Sequence, residues 1–345
     1  VIAAPTVVLA REDPNKAFSL IATQVLKGTV DQPHIDLFLD SFTRRRLSRQ
    51  LTTHVICTKS EDDSWSRLTT ADKEIESVVR HIIKNSDDWI QNPGSRLEFF
   101  SPLLRSQNET IRSLAHLEIG SAPYAEIRQL GHILTRDEIN AFLSELRMTE
   151  WHALYILLLA NSSHPDDHQR IRRAVRTAAK YSSTHQLAAW TTAYLETAGP
   201  EAFKFIQSQY AENPGRSPEE TNAVLTSLSV LGGAGVMRGE IISTYQGFLK
   251  THPESVSLIV EDATKWECGD LVDGVSKLLA DADSALDLTT TLQLRAYQRQ
   301  FTPADPTASS NKSLWLILAG LLLLAPVTAL FSRRRPTGLW RTHSV

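Results

Sequence analysis

The sequence predicts an α+β fold: a small N-terminal antiparallel β domain, an α-solenoid of helix pairs, and one C-terminal transmembrane helix. Three observations lead there. Residues 1–68 hold short β-branched runs parted by turn residues. Residues 69–301 carry helix caps and stops at roughly even intervals. Residues 313–332 contain no charged side chain, and at 1.5 Å rise per residue they span about 30 Å, the thickness of a bilayer core.

Composition sets the outer bounds. The chain has 345 residues, 42% hydrophobic and 22% charged, which excludes a disordered tail, a fibrous repeat and a polytopic membrane protein. Its 36 Lys and Arg face 39 Asp and Glu, a net charge of −3. A nucleic-acid binder carries a basic excess, and here there is none. Two cysteines build neither a disulfide framework nor a four-thiolate zinc site.

The β domain comes first. Residues 6–11 and 17–26 are β-branched and apolar, and Glu12, Asp13, Pro14 and Asn15 between them are turn chemistry. Residues 34–40 set Ile35, Leu37 and Leu39 on one face, the period-2 mark of a half-buried strand. Residues 53–58 form another run, and Trp65 follows a polar turn. Four or five such strands suggest a small barrel or sandwich over residues 1–68. The phrase Val25-Leu26-Lys27-Gly28 after a hairpin resembles the start of netrin-like, OB-type barrels of secreted proteins.

Helices follow over residues 69–301. Asn108 is a cap, Thr135 with Glu138 is a capping box, and Ser217-Pro218-Glu219-Glu220 combines cap, first-turn proline and third-position acid. Further starts fall near Ser121, Thr149, Pro165, Thr184, Pro200, Met237 and Glu254. Stops fall at Gly120, Gly131, Gly199, Gly232 and His252-Pro253. Every second start recurs at roughly 27 to 38 residues, the spacing of helix-pair repeats. Phe100-Ser101-Pro102-Leu103-Leu104, followed by Ile111-Arg112-Ser113-Leu114-Ala115, resembles a HEAT-type repeat. That resemblance implies stacked helix pairs with one continuous face for protein partners.

Residues 302–312 are rich in Pro, Ser and Thr and read as a spacer. Around the apolar span, Trp315 marks one interface and Pro326 a kink. Arg333, Arg334, Arg335 and Arg341 give residues 333–345 a charge of +4, which by the positive-inside rule makes that tail cytoplasmic. The remaining −7 lies on residues 1–332, expected outside the cytoplasm, either periplasmic or extracellular. Export needs a leader, and the expectation is that a signal precedes Val1. The layout resembles bacterial C-terminal sorting tails, although residues 305–310 depart from their recognition motifs.

Candidate chemistry is sparse. His164 and His168, four apart at a helix start, with His185 from the next helix, could ligate zinc. The plainer reading is a loop with Asp166 and Asp167 at the positive end of a helix dipole. Arg44, Arg45, Arg46 and Arg49 form a basic run, either a binder of anions or a solvated loop. Gly232-Gly233-Ala234-Gly235 follows a helix and lacks a Gly-Lys-Ser/Thr ending, so it reads as a helix stop. Cys57 and Cys268 are expected to stay unpaired. Asn108, Asn161 and Asn311 head sequons.

No catalytic, cofactor or metal residue is assigned. The expectation is a membrane-anchored, extracytoplasmic, non-catalytic interaction scaffold. Its excess acid points to a protein partner with basic patches, with the bilayer met through residues 313–332 and nucleic acid excluded. The alternative is a metal-binding protein or enzyme, with its site around His164 and His168 or between the β domain and the helices near His81 and Trp89. A third reading is a structural envelope spacer. Trp151, Tyr155, Trp190 and Tyr194 are either core residues or exposed anchors.

Overall fold

The computed structural model of the chain describes residues 1–281 and 286–302. The N-terminal region holds β1 (Thr6–Asp13), β2 (Lys16–Lys27), β3 (His34–Ile35), α1 (Ser41–Arg49), β4 (His54–Lys59) and β5 (Trp65–Ala71). The strands make one antiparallel sheet in the order β3-β2-β1-β4-β5.

This sheet is open, with β3 and β5 at its two edges, and it is neither the barrel nor the sandwich expected. The physical reason is that helices cover both of its faces. Along β1, Val7 and Leu9 point to one face, and Val8 and Ala10 to the other; all four are fully buried. Leu9 stands opposite Ile56 and Val8 opposite Cys57 on β4. Val8, Ala10, Val55 and Cys57 pack with Leu39 and with Leu47 of α1. Val7, Leu9 and Ile56 join the core of the following helices. A strand buried on both faces loses alternation and reads as a continuous apolar run, as residues 7–10 do.

The basic run of Arg44, Arg45, Arg46 and Arg49, open to reading as an anion binder or a solvated loop, lies on helix α1 and not on a loop. The helix forms because Asp40 caps it: one carboxylate oxygen accepts the Thr43 amide at 2.8 Å, and the other accepts the Thr43 hydroxyl at 2.7 Å and the Arg67 guanidinium at 2.5 Å. Burial opposes ionisation of Asp40, but these donors outweigh it and hold the carboxyl down at about 2. β5 runs three residues past the expected boundary at 68, because Thr69 and Thr70 extend it and Asp72 caps the next helix.

The helices are α2 (Lys73–Gln91), α3 (Pro93–Phe100), α4 (Glu109–Gly120), α5 (Tyr124–Ile127), α6 (Arg136–Ser144), α7 (His152–Leu159) and α8 (Pro165–Tyr181). They continue as α9 (Leu187–Ala198), α10 (Pro200–Ile206), α11 (Pro218–Gly233), α12 (Arg238–Thr251), α13 (Val256–Lys265), α14 (Val272–Ala280) and α15 (Leu288–Phe301). The chain is therefore α+β, with an antiparallel sheet followed by helices. Asn108 caps α4, and both capping boxes, Thr135 with Glu138 and Ser217 with Glu220, are formed. Glycine stops fall at the ends of α4 and α11.

Packing follows a simple rule. α7, α9, α11, α13 and α15 touch in succession, as do α10, α12 and α14. α8 packs on α9, α10 on α9, and α12 on both α11 and α13. Side chains complete the second row. Arg172 and Arg176 of α8 reach Glu201 of α10 at 2.6 and 3.4 Å. Arg136 of α6 pairs with Asp167 of α8.

One junction shows how closely the rows fit. The Trp266 indole lies on the end of α11, so near Gly232 that a β-carbon there would overlap the ring. Trp266 also stacks on Tyr245, with ring centroids 6.0 Å apart. The Tyr245 hydroxyl donates to buried Asp262 at 2.6 Å, and Ser229 donates to the same carboxyl at 2.8 Å. Burial dominates over both donors and raises the Asp262 carboxyl above its ordinary range.

The single-pass membrane placement, with the N-terminal part outside the cytoplasm, is overturned as a description of this structure. Among the described residues no helix is long and apolar enough to cross a membrane. The longest, α2, spaces Lys73, Glu76, Arg80, Lys84 and Asp87 along its 19 residues. The expected span 313–332, its basic tail 333–345 and Asn311 lie outside the described residues, as does the spacer 302–312 beyond Thr302.

Candidate functional site

The second row of helices carries a series of open grooves. The first lies between α6 and α8, holds about 760 Å³, and is lined by Arg136, Asn140, Arg170, Arg173, Thr177, His185 and Trp190 among others. Its charges are of two kinds. Arg136 grips Asp167 through two bonds, at 2.7 and 2.9 Å, and Ser162 adds a third donor at 2.6 Å. Burial opposes ionisation of Asp167, yet these partners keep its carboxyl below the ordinary range. Arg170 and Arg173 are different. Arg170 donates to Asn140 at 2.6 Å and Arg173 to Gln169 at 3.4 Å, so neither meets a carboxylate among the described residues.

Local sequence explains this division. On α8, Arg170, Arg173 and Thr177 share one helical face, while Arg172 and Arg176 share another. The second face is neutralised by Glu201, and the first opens on the groove.

Further grooves continue along the same row. One of about 400 Å³ between α10 and α12 is lined by Lys204, Glu212 and Glu240. One of about 520 Å³ between α12 and the turn before α14 is lined by Asp270 and Asp273 and, among the described residues, by no cation. Its neighbour, about 420 Å³, adds Lys250 and Lys277. Charge is mixed along the row, at α8 and again beside α14, where Asp270 and Asp273 line both of the last two grooves. Exposed guanidiniums and carboxylates at these spacings can make charged hydrogen bonds to a partner's side chains.

The sequence-predicted ligands do not converge. His164 caps α8, its Nδ1 accepting the Asp166 amide at 3.2 Å. The Nε2 of His168 is bound to the Ser162 carbonyl at 2.6 Å. His185 is exposed on the groove. Among the described residues no three His, Cys, Asp or Glu side chains gather as a metal site. His81 lies flat on Phe99 at 3.9 Å and tilts against buried Trp89 at 6.0 Å, an aromatic stack that runs from the surface of α2 into the core.

The other candidates resolve as follows. Cys57 and Cys268 are free thiols, and burial pushes Cys57 up to about 12, which suppresses its thiolate. Gly232 and Gly233 end α11, and Gly235 turns at φ 76°. Tyr155 and Tyr194 are fully buried, and Trp151 and Trp190 are half-buried. Of these four only Trp190 lines the first groove. Arg44, Arg45, Arg46 and Arg49 lie on α1.

Sequence reasoning missed Arg170 and Arg173. Their signal was present as arginines at i and i+3, but their freedom depends on Glu201 lying elsewhere. It also missed buried His116, whose Nε2 meets the Tyr155 hydroxyl at 2.6 Å while Nδ1 meets the Arg112 carbonyl at 2.7 Å. The carbonyl can only accept, so Nδ1 carries the proton and Nε2 accepts from Tyr155.

Comparison of the chain with protein-family models, with curated proteins and with solved structures gives no match in any of the three. The functional reading therefore rests on the geometry above.

Proposed function

We propose that this chain is a non-catalytic protein-interaction scaffold whose helices form a HEAT-like stack of pairs. The observation that carries the reading is the series of open grooves along one row of helices, from α6 to α14. Successive contact between alternate helices supports the repeat architecture. A stack buries the inward stripe of each helix and leaves one continuous side face, which suits an extended protein surface better than a small substrate.

The partner is a protein with basic patches. Its cations meet Asp270 and Asp273 beside α14, and its polar groups meet Arg170 and Arg173 at the other end of the row. Such contacts govern encounter rate and specificity, so association weakens as salt shortens the Debye length to about 10 Å at 0.1 M.

The test is capture by the purified full chain at low and high salt, beside two charge-reversed variants. Asp270→Lys with Asp273→Lys alters the proposed face, and Glu261→Lys alters α13 in the other row. The reading expects the captured proteins to be lost with the first variant and at high salt, and kept with the second. Equal capture by both variants would overturn it. So would turnover by a tightly held metal or cofactor in a chain that captures nothing.

A further inference from the structure

A second surface lies on the sheet, away from the helical row. Helix α1 has four arginines and no acid in nine residues. Thr43 and Leu47 are its buried side chains. At about 100° per residue, the opposite side presents Phe42 with Arg45, Arg46 and Arg49, three, four and seven residues on. All four are exposed. Arg44 is paired with Glu12 at 2.5 Å, whereas Arg45, Arg46 and Arg49 meet no carboxylate among the described residues.

Apolar groups bracket these cations. Phe38 is 77% exposed, Phe42 72% and Leu51 76%. Burying them against a partner would remove a large apolar area from water, so their exposure is costly unless something covers them.

The patch is held rigid. Asp40, fixed by Thr43 and Arg67, secures the start of α1. Arg11 secures its end, donating to the carbonyls of Leu47 at 3.1 Å and Leu51 at 2.6 Å. Phe38 stacks on Phe18 at 5.8 Å, and the Arg44 guanidinium lies over the other ring at 4.6 Å. Phe18 itself stands at φ 64°, a left-handed conformation that a bulky side chain rarely adopts. The Glu12 carboxylate and the Leu39 amide hold its backbone there, at 3.1 and 2.9 Å. Strain that the surroundings maintain is typical of functional sites.

We infer that this face docks an acidic segment of a protein partner, carboxylates on Arg45, Arg46 and Arg49 and an apolar side chain against Phe38 and Phe42. Charge complementarity sets the sign of the partner. The residue types set its class. Protein interfaces are enriched in Arg and aromatics and depleted in Lys, and every basic residue of α1 is an arginine. A guanidinium fork matches a carboxylate through two bonds. Residues 1–332 carry −7, which repels an extended polyanion such as a nucleic acid or an anionic bilayer. A short acidic segment feels mainly the charges within a Debye length of about 10 Å. This surface is separate from the helical row, and neither proposal depends on the other.

The test uses the full chain and a labelled synthetic peptide of four Asp-Glu-Phe repeats, with binding read by fluorescence anisotropy. Vesicles of one part phosphatidylserine to three parts phosphatidylcholine are the second probe. Arg45→Glu with Arg49→Glu should weaken peptide binding about tenfold or more, and Phe42→Ser should weaken it by a smaller factor. Arg45→Gln with Arg49→Gln, which removes charge without reversing it, guards against misfolding and should weaken binding in the same direction. Asp270→Lys with Asp273→Lys should leave the α1 site unchanged. Peptide binding equal in wild type and α1 variants would overturn the inference. So would absence of peptide binding, or α1-dependent binding of the vesicles in preference to the peptide.

Discussion

The sheet region and the helical region solve the same burial problem in opposite ways. In the sheet, β1 sends Val8 and Ala10 into a closed core sealed by Leu47 of α1. Its other face, Val7 and Leu9, joins a core that runs on from helix to helix through Tyr297. A closed core concentrates its stability in a few residues, and its covering helix is free to carry exposed groups such as Phe42. An extended core spreads stability over many neighbours: it encloses α7 and α9, which have no exposed residue, and leaves an open side on α8, α10 and α12. The difference teaches where charged and apolar groups are left exposed in this chain: on the lid of the first core and along the flank of the second.

The largest expected effect lies in the helical region. Arg216 and Glu220 form an ion pair at 2.8 Å, with side chains only 8% and 2% exposed. Arg216 also donates to the carbonyls of Ala179 at 2.7 Å and Gln209 at 2.7 Å. Arg216→Ala should destabilise the chain by about 3–5 kcal/mol, because Glu220 is left buried without its partner. Urea denaturation measures it. If stability spreads evenly over neighbours, the loss should appear in α11 and adjacent helices by hydrogen exchange, before the sheet is affected.

Leu47→Ala comes next, at about 3 kcal/mol, for a fully enclosed leucine whose removal leaves a cavity. Here the loss should be confined to α1 and the outer face of the sheet. Amide exchange in α1 should rise sharply while α9 and α11 stay protected. Equal loosening of both regions would break the comparison.

A smaller effect, about 1–3 kcal/mol, is expected of Gly232→Ala, which forces a methyl group into the Trp266 ring. The double variant with Trp266→Ala should show coupling, with the alanine at 232 costing little once the indole is gone. Additive losses would contradict the close approach.

The smallest effect is a pH dependence. Burial, ahead of its hydrogen bonds, pushes the His116 imidazole below the ordinary value of about 6.5. Below that pH the unfolded chain takes a proton that the folded chain refuses. Stability should therefore be complete above about pH 7 and fall as pH drops, by at most about 1.4 kcal/mol per unit until the folded imidazole also titrates. His116→Gln should flatten that slope over pH 7 to 5 in thermal denaturation.

What the sequence made legible was local chemistry. Thr135 with Glu138 and Ser217 with Glu220 could be read as caps because both partners lie within one helical turn. Non-local pairing was not legible. Whether strands close into a barrel depends on edges such as β3 and β5 that have no signature of their own. Helix α1 was hidden because just two of its side chains, Thr43 and Leu47, turn inward, too few for a helical period among arginines. The groove was hidden for a related reason. Five basic residues of α8 look alike in sequence, and only the position of Glu201 separates the neutralised Arg172 and Arg176 from Arg170 and Arg173, which meet no carboxylate among the described residues.

The central claim, that the flank from α6 to α14 receives a partner, is tested most directly by cross-linking. Lys204, Lys250 and Lys277 line the grooves of that row, while Lys84 lies on α2 and Lys265 on α13. An amine-reactive cross-linker applied to the full chain with its captured partner, followed by mass spectrometry, reports which lysines face it. The account predicts cross-links at Lys204, Lys250 and Lys277 that fade at high salt. Cross-links concentrated on Lys84 and Lys265, with the groove lysines unmodified by the partner, would contradict it.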